Sequence, residues 1–293
     1  MTDNTNNSPR GQTFEPFMLC CGGRMLRYEA PAVMGILNVT SDSFYDGGRH
    51  LKADDYLSHA VTMATEGADI IDIGVVSTRP GAMLLEPVEE ARRLADVVGN
   101  VRRELPEAII SVDTCFSLPA RAAVEAGADI INDISGGAFD PEMFATVADL
   151  GTPYVLMHNL GTPDHMQDNP HYDNILQEVA LFLSQRLHQL RLLGVKDVII
   201  DPGFGFSKTM KHNYELFRRL PELKMLFPNE PMLVAVSRKS MIYKLLNTVP
   251  DDALIGSTAL HATALLAGAQ MLRVHDVAAA RQTIKVIGEL LNS

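Results

Sequence analysis

Several polar side chains stand near the ends of short apolar runs along this sequence. Asn38 closes one run, and Asp113 and Asn132 lie in two others. Asp201 and Arg273 stand in later runs. Carboxylate and amide oxygens accept hydrogen bonds, and a carboxylate accepts two parallel N–H bonds. If these side chains converge, their acceptor oxygens suit a flat heterocycle with a row of N–H groups, such as a 2-amino-4-oxo pyrimidine.

Basic side chains stand in the last two apolar runs and the loops that follow them. Lys239 follows one run, and Arg273 and His275 lie in the other. Together they supply the charge that binds a phosphate or a diphosphate. We interpret the segment SRKS (237–240) as an anion site at the start of a helix, and STRPGA (77–82) as a mobile clamp. Each residue alone has an ordinary alternative, such as a helix cap, a turn or a core histidine, and their joint occurrence favours a site.

The residues above belong to eight short apolar runs that alternate with amphipathic helical segments. The predicted strands cover 33–38, 68–74, 108–114, 129–135, 154–158, 197–203, 232–239 and 270–276. Most lack strict alternation, which is typical of strands covered on both faces. Eight such units without a Pro/Ser-rich linker predict a single (β/α)8 TIM barrel, whose active site lies at the carboxyl ends of the strands. His158 is also predicted to face this mouth. The alternative is an open doubly wound sheet, but no Gly-x-Gly-x-x-Gly segment follows any strand.

The bulk composition is that of a globular protein. The chain has 293 residues, of which 46% are hydrophobic and 21% are charged. We predict a flexible tail over residues 1–16 and one barrel domain over 17–293, with a short hairpin around Gly22 and Gly23. The net charge of −11 argues against nucleic-acid partners. No apolar run reaches the roughly 18 residues of a membrane span.

The cysteines predict the cellular compartment. The chain has three, Cys20, Cys21 and Cys115. An adjacent pair and a distant single cysteine form neither a disulfide framework nor a zinc-binding spacing. No signal-peptide pattern opens the chain. These observations predict a cytoplasmic protein with unreactive thiols.

Seven segments, in this order along the chain, resemble the dihydropteroate synthase family. They are GILNVTSDSFYDGG, STRPGA, SVDT, INDISGG, DPGFGFSKT, SRKS and RVHDV, and the resemblance extends from about Val33 to the C-terminus. It implies a (β/α)8 homodimer that uses Mg2+. It also implies an enzyme of folate synthesis that joins p-aminobenzoate to (7,8-dihydropterin-6-yl)methyl diphosphate, and that sulfonamides inhibit competitively.

The resemblance also assigns roles to individual residues. The pterin diphosphate is assigned to Thr78, Asp113, Asn132, Asp201, Lys239, Arg273 and His275. The catalytic residues are implied to be Asp113, Lys239, Arg273 and His275. The p-aminobenzoate pocket and its lid loops are assigned to Asp42, Phe44, Thr78, Arg79, Pro80 and Ser237. Asn38 is implied to ligate Mg2+.

Two alternatives share the same pterin contacts. The first is a pterin-dependent methyltransferase of the same barrel superfamily, which has no evident use for the STRPGA clamp or for the basic pair of Arg273 and His275. The second is a pterin-binding pseudoenzyme. It is suggested by Val75 and Val76, which stand where the family commonly has a Gly and a small or acidic residue.

Overall fold

Eight parallel strands form a barrel, as the sequence predicts, and an antiparallel hairpin precedes them. The computed structural model describes residues 14–39, 49–76, 85–161 and 170–292. The strands are β1 (Phe17–Cys21), β2 (Arg24–Tyr28), β3 (Ala32–Asn38), β4 (Ile70–Gly74), β5 (Ile109–Asp113), β6 (Ile130–Asp133), β7 (Tyr154–Met157), β8 (Val198–Asp201), β9 (Leu233–Val234) and β10 (Met271–Val274). The order around the barrel is β8-β7-β6-β5-β4-β3-β10-β9. A parallel bridge between Ile200 and Met232 joins β8 to β9.

Helices fill most of the connections between the barrel strands. They are α1 (Arg49–Thr65), α2 (Pro87–Glu104), α3 (Ser117–Glu125), α4 (Met143–Leu150), α5 (Ile175–Leu192), α6 (Met210–Arg218), α7 (Leu220–Leu226), α8 (Ser240–Tyr243), α9 (Leu254–Leu266) and α10 (Val277–Asn292). A 3-10 turn covers Pro250–Asp252. Within the described ranges, no helix combines the length and the apolar character that crossing a membrane requires.

The hairpin closes the end of the barrel opposite the mouth. β1 and β2 pair in antiparallel register across Gly22 and Gly23, whose φ angles of 55° and 76° suit a two-residue hairpin turn. Phe17 and Leu19 pack into the apolar cluster inside the barrel. This confirms the predicted hairpin and leaves the mouth as the open end. The tail boundary at residue 16 stays a prediction, because residues 1–13 lie outside the described part of the chain.

Strand β9 is much shorter than the apolar run at 232–239 predicts. The regular strand ends at Val234, and the Lys239 N–H donates to the Val236 carbonyl at 3.1 Å. Arg238 has a φ of 54° in this turn. The run is apolar because it enters the barrel wall, but its last residues turn across the mouth. The turn therefore carries Ser237 and Lys239 to the site.

Candidate active site

Alternate residues of the barrel strands point inward and lead from an apolar floor to a polar mouth. The floor is formed by inward-facing apolar residues, among them Ile109, Ile130, Ile199 and Met271. Two or four positions later, the same strands present Asp113, Asn132, Asp201 and Arg273. Because a strand has a side-chain period of two, these polar residues share the inward face with the floor. The strands thus bring together the polar residues that the sequence analysis selected.

A buried carboxylate that the sequence analysis missed connects three of these residues. Arg273 donates from Nε to Asp72 Oδ2 at 2.7 Å and from Nη2 to Asp113 Oδ2 at 2.8 Å. Asn132 Nδ2 donates to the same Asp72 oxygen at 3.0 Å. Asp72 is fully buried in the middle of β4. A carboxylate inside a strand that is covered on both faces is rare unless it is paired, and this signal could have identified Asp72. We call Asp72, Asp113, Asn132 and Arg273 the mouth cluster.

The mouth cluster keeps acceptor atoms for a ligand. Asp72 Oδ1 and Asp113 Oδ1 are buried, and neither has a hydrogen-bond partner among the described residues. Asp201 Oδ1 accepts the Gly203 N–H at 2.7 Å. An unpaired buried acceptor costs about 1–3 kcal/mol, and a ligand N–H group removes that cost. The arrangement therefore favours a ligand with several N–H donors.

Burial changes the protonation of the cluster. It raises the pKa of Asp113 to about 7, although the Arg273 guanidinium acts in the opposite direction. Burial also raises the pKa of Asp201, against the effect of Lys239. Burial disfavours the charged form of Arg273, but Asp72 and Asp113 outweigh it, so its pKa is raised. At neutral pH the mouth thus contains a fixed cation beside a carboxyl group that readily gains or loses a proton.

Lys239 lies against the loop that follows β8. Its Nζ donates to the Phe204 carbonyl at 2.5 Å and lies 4.7 Å from the centre of the Phe206 ring. Burial lowers the pKa of Lys239 to about 8, although Asp201 favours its charged form. The ammonium group is thus held beside the mouth by a carbonyl and an aromatic face.

Burial keeps the His275 ring neutral, in contrast to the positive charge predicted for it from the sequence. The His275 backbone N–H donates to Ser237 Oγ at 3.2 Å, and the ring Nδ1 lies within hydrogen-bond distance of the same hydroxyl, at 3.0 Å. Burial and the neighbouring Arg273 lower the pKa of His275 to about 4. Positive charge at the mouth therefore comes from Arg273 and Lys239.

Asn38 lies beside the mouth cluster, at the exposed end of β3. A Cβ atom at Gly74 would lie 3.5 Å from Asn38 Oδ1 and 3.6 Å from the Asp113 Cβ. Because glycine occupies this position, no side chain separates the Asn38 amide from the Asp113 side chain. The predicted metal ligand thus lies close to the predicted pterin ligands.

An apolar wall borders the polar cluster. It consists of Cys115, Ile134 and Met157, against which Phe139 and Phe206 pack. Met157 pairs in register with Asp201, so the wall continues the inward face of β7 and β8. Apolar and aromatic surfaces beside a few fixed polar groups are the usual lining of a pocket for a flat ligand. Phe206 belongs to the DPGFGFSKT segment of the sequence, but neither Phe206 nor Met157 was predicted to be a site residue.

One predicted mouth residue lies elsewhere. The His158 ring contacts the Phe182 ring at 4.9 Å between centroids, and its Nδ1 lies 2.9 Å from Lys208 Nζ. His158 follows the inward-facing Met157 by one position, so the strand period directs it away from the mouth. Five further predicted residues lie outside the described ranges: Asp42, Phe44, Thr78, Arg79 and Pro80.

A further buried carboxyl group lies behind the mouth cluster. Glu90 of α2 is 3% exposed, and the Thr114 hydroxyl donates to its Oε1 at 2.5 Å. Burial raises the pKa of Glu90 to about 7. The negative charge of Glu90 in turn helps to raise the pKa of Asp113. Glu90 is one of several charged residues in the sequence of α2, and no pattern there distinguishes it as buried.

Replacing Glu90 with glutamine should make stability less dependent on pH. The folded-state pKa of about 7 lies above the usual value of 4.5. The wild type therefore loses stability as the pH rises from 4.5 to 7, because ionisation favours the unfolded chain. Glu90→Gln keeps the acceptor for Thr114. Because glutamine does not ionise, the variant does not lose stability over this pH range. We expect the variant to gain roughly 2–3 kcal/mol over the wild type across this range, measured by urea unfolding at several pH values. A pH-independent difference would contradict the assignment.

The chain matches known proteins along most of its length. A family model described as "Pterin binding enzyme" matches residues 34–275. Dihydropteroate synthase from Synechocystis sp. is 44% identical over 261 residues, which cover 88% of this chain and 89% of that protein. The Escherichia coli K12 dihydropteroate synthase is 41% identical over 273 residues, which cover 92% of this chain and 95% of that protein.

Solved structures give the same result. A Yersinia pestis dihydropteroate synthase in a sulfonamide drug complex superposes with a TM-score of 0.86 at 38% identity, and covers 94% of this chain and 99% of its own. The Xanthomonas albilineans enzyme in complex with 7,8-dihydropteroate superposes with a TM-score of 0.82 at 38% identity. The match covers 94% of this chain and 99% of that enzyme. Together with the polar mouth of the barrel, these similarities show that the chain belongs to the dihydropteroate synthase family of pterin-binding enzymes.

Proposed function

We propose that the mouth cluster binds (7,8-dihydropterin-6-yl)methyl diphosphate and that the enzyme joins it to p-aminobenzoate. The products are 7,8-dihydropteroate and diphosphate, so the enzyme is a transferase of folate synthesis. The observation that carries this proposal is the pair of unpartnered buried oxygens, on Asp72 and Asp113, beside the Arg273 guanidinium. The Xanthomonas albilineans relative has been solved with 4-aminobenzoic acid and with 7,8-dihydropteroate.

The pterin ring is proposed to lie on the mouth cluster. Asp113 and Asp201 accept its N–H groups, and Asn132 supplies a neighbouring donor and acceptor. Lys239 stands beside the ring, held by the Phe204 carbonyl and the Phe206 ring. This arrangement rejects a ligand without N–H donors, because the buried carboxyl oxygens then stay unpaired.

The reaction is proposed to be dissociative. The bond between the pterin methylene carbon and the diphosphate oxygen breaks, and its electron pair leaves with diphosphate. Ring nitrogen electrons stabilise the cation, the amine lone pair of p-aminobenzoate forms the new C–N bond, and the amine loses a proton to solvent. Arg273 and His275 bind the departing anion, while Asp113 stabilises the cation. Such preorganised electrostatics need no nucleophilic side chain.

The p-aminobenzoate pocket is proposed to lie at the outer edge of the mouth. Its lid residues are proposed to be Asp42, Phe44, Thr78, Arg79 and Pro80. Thr78 is also proposed to contact the pterin diphosphate. Ser237 is proposed to lie near the p-aminobenzoate carboxylate, and its contact with His275 then couples the two substrate sites.

The assay that tests this function supplies the purified protein with each set of substrates. Diphosphate release that requires p-aminobenzoate, with formation of dihydropteroate, supports the proposal. Methyl transfer from methyltetrahydrofolate to a corrinoid protein would instead identify a methyltransferase. Tight pterin binding by calorimetry without turnover would identify a pterin-binding protein that has lost catalysis.

A magnesium ion is proposed at Asn38, and the donor set fits one. Within the described ranges, no group of three or more His, Cys, Asp or Glu side chains could form an all-protein metal site. Mg2+ is often held by one or two protein oxygens, with water and substrate phosphates as the remaining ligands. Asn38 supplies such an oxygen at the exposed end of β3. When bound, the ion neutralises charge on the departing diphosphate.

Asn38→Ala should weaken the binding of Mg2+ at the substrate site. We expect the Mg2+ concentration that gives half-maximal activity to rise about tenfold, since one direct ligand of a water-rich site is lost. Calorimetry with diphosphate and Mg2+ should show the same loss. Asn100→Ala, on the outer helix α2, is the control and should match the wild type. An unchanged magnesium requirement in Asn38→Ala would exclude Asn38 as a ligand.

A homodimer is proposed through the outer face of α9 and α10. Ile255 is 83% exposed, and Val286 and Leu290 are 67% and 60% exposed. Apolar side chains in one patch on two adjacent helices suit an interface between two copies of a chain. Ile255→Lys should therefore convert dimers to monomers in sedimentation experiments, whereas Leu192→Lys, at an exposed leucine of α5, should not. A monomeric wild type at micromolar concentration would contradict the proposal.

We also infer a cytoplasmic location. All three cysteines are free, and burial raises the pKa of the Cys21 thiol to about 12 and the pKa of the Cys115 thiol well above its ordinary value. Unpaired, unreactive thiols are compatible with a reducing compartment.

A further inference from the structure

Lys208 is a buried cation that the proposed chemistry does not use. It lies between β8 and α6 and is 3% exposed. Its Nζ donates to the Gly203 carbonyl at 2.9 Å and to the Phe206 carbonyl at 3.1 Å, and lies 2.9 Å from His158 Nδ1. An ammonium group has three donors, so these three acceptors satisfy it completely.

The cost of burying Lys208 suggests a specific role. None of the described carboxylates lies within ion-pair distance of its ammonium group. The charge of Asp201 acts on Lys208 without a direct ion pair, and burying a charge in this way is expensive even when hydrogen bonds are made. The acceptors therefore indicate what the lysine holds, which is the backbone of the Gly203–Phe206 segment and the His158 ring.

The Gly203–Phe206 segment contacts the site at several points. The Gly203 N–H donates to Asp201 Oδ1 at 2.7 Å, and the Phe204 carbonyl accepts from Lys239 Nζ at 2.5 Å. The Phe206 ring lies 4.7 Å from the same ammonium group. The orientation of Asp201 and Lys239 thus depends on where this segment lies.

The segment fits closely against the loop after β7. Gly203 has a φ of 72°, and a Cβ atom there would lie 1.9 Å from the His158 carbonyl oxygen. Only glycine permits this approach. Lys208 binds the first and the last carbonyl of the segment, and it reaches His158 in the neighbouring loop. It therefore joins both loops behind the mouth.

We propose that Lys208 is a positioning residue, which uses His158 as its third acceptor to fix the Gly203–Phe206 segment and thereby aims Asp201 and Lys239 at the pterin. This inference rests on the proposed pterin contacts of Asp201 and Lys239. Lys208 itself does not touch the substrate, because its three donors are directed to Gly203, Phe206 and His158.

Protonation of Lys208 should matter for this role. The titratable groups that face it are His158 after β7, Asp201 in β8, Lys239 after β9 and His212 in α6. Burial lowers the pKa of Lys208 to about 7. The neutral amine has two donors, so one of its three acceptors loses its partner as the pH rises above 7. The contribution of Lys208 to pterin binding should therefore decrease with rising pH.

The test compares Lys208→Met with the wild type by calorimetry, using 6-hydroxymethylpterin and inorganic diphosphate as separate ligands. We expect pterin binding to weaken about tenfold or more, and diphosphate binding to change less than about twofold, because Arg273 is unaltered. The ratio of wild-type to variant pterin affinity should shrink between pH 6 and pH 8.5. Lys211→Met, at an exposed lysine of α6, is the control. Equal losses for both ligands, or a constant ratio, would overturn the role.

Two variants of His158 test the positioning role of Lys208 if Lys208→Met does not fold. His158→Gln offers a side-chain acceptor to Lys208, whereas His158→Leu does not. We expect pterin affinity near that of the wild type in His158→Gln and a loss of about fivefold or more in His158→Leu. Equal affinities in the two variants would overturn the proposal. The wild-type turnover assay tests the proposed function separately, so the positioning role can fail while that function stands.

Discussion

Replacing Arg273 with methionine is expected to lower kcat/KM for the pterin diphosphate about 10³-fold, the upper range for removing one preorganised electrostatic contact. Arg273 donates to Asp72 from Nε and to Asp113 from Nη2. Neither carboxylate engages Nη1, which we expect to meet the diphosphate. The substitution keeps the aliphatic stem and removes the cation both from the leaving group and from the two buried carboxylates.

The loss of binding affinity in Arg273→Met should depend on whether the ligand carries a diphosphate. By calorimetry, binding of the pterin diphosphate should weaken far more than binding of 6-hydroxymethylpterin, which carries no phosphate. Losing one partner of a buried ion pair also costs about 3–5 kcal/mol of stability, so unfolding must be measured alongside binding.

A matched control separates catalysis from stability. Arg102 donates to Asp129 at 2.6 Å, and Asp129 directly precedes β6 at the end of the barrel away from the mouth. Arg102→Met should therefore reduce stability to a comparable degree and leave kcat/KM within about threefold of the wild type. Equal weakening of both pterin ligands by Arg273→Met would reject the assigned contact with diphosphate.

The fold could be predicted because parallel strands and their helices leave separate signals in the sequence. Each barrel strand is covered on both faces, so it appears as an uninterrupted apolar run, and all eight runs contain a strand. The run at 232–239 was misleading about length, because Val234 ends the regular strand and the chain then turns across the mouth. Hydrophobicity alone does not distinguish a buried strand from a buried turn.

The site was predicted in part. The ends of strands can be located from the sequence, but the direction in which each side chain points cannot. Asp113, Asn132 and Arg273 do meet at the mouth, through Asp72. Asp72 was missed because only strand ends were considered. It lies two positions before Gly74, the last residue of β4, and faces inward. His158 was placed wrongly for the related reason that one step along a strand reverses direction.

The charge state of His275 also required the structure. The sequence supplies a histidine beside Arg273, and an exposed imidazole would be partly protonated near neutral pH. Burial and the guanidinium together lower the pKa of His275 to about 4. Desolvation depends on the surrounding packing, and the sequence pattern does not specify it.

Replacing Asp201 with asparagine should weaken pterin binding about 10²–10³-fold, with less effect on diphosphate. Asp201 Oδ1 accepts the Gly203 N–H at 2.7 Å, and an asparagine oxygen can keep this bond. The other oxygen then becomes an NH2 group that faces the N–H donors of the pterin. The variant loses a charge-assisted hydrogen bond worth about 1.5–3 kcal/mol. It also places two desolvated donors, the asparagine NH2 group and a pterin N–H group, opposite each other. The shape of the site is retained, so the loss reports the change from an anionic acceptor to a neutral donor.

The control for Asp201→Asn lies on the same strand. Asp197 directly precedes β8 at the closed end of the barrel, where its Oδ2 accepts the Cys20 N–H at 3.1 Å. Asp197→Asn makes the same chemical change away from the mouth, and its pterin affinity should equal that of the wild type. If Asp201→Asn bound 6-hydroxymethylpterin as tightly as Asp197→Asn does, Asp201 would not be the acceptor. The pterin would then have to be oriented by the described acceptors of the mouth cluster, which are the Asn132 amide and the unpartnered buried oxygens of Asp72 and Asp113.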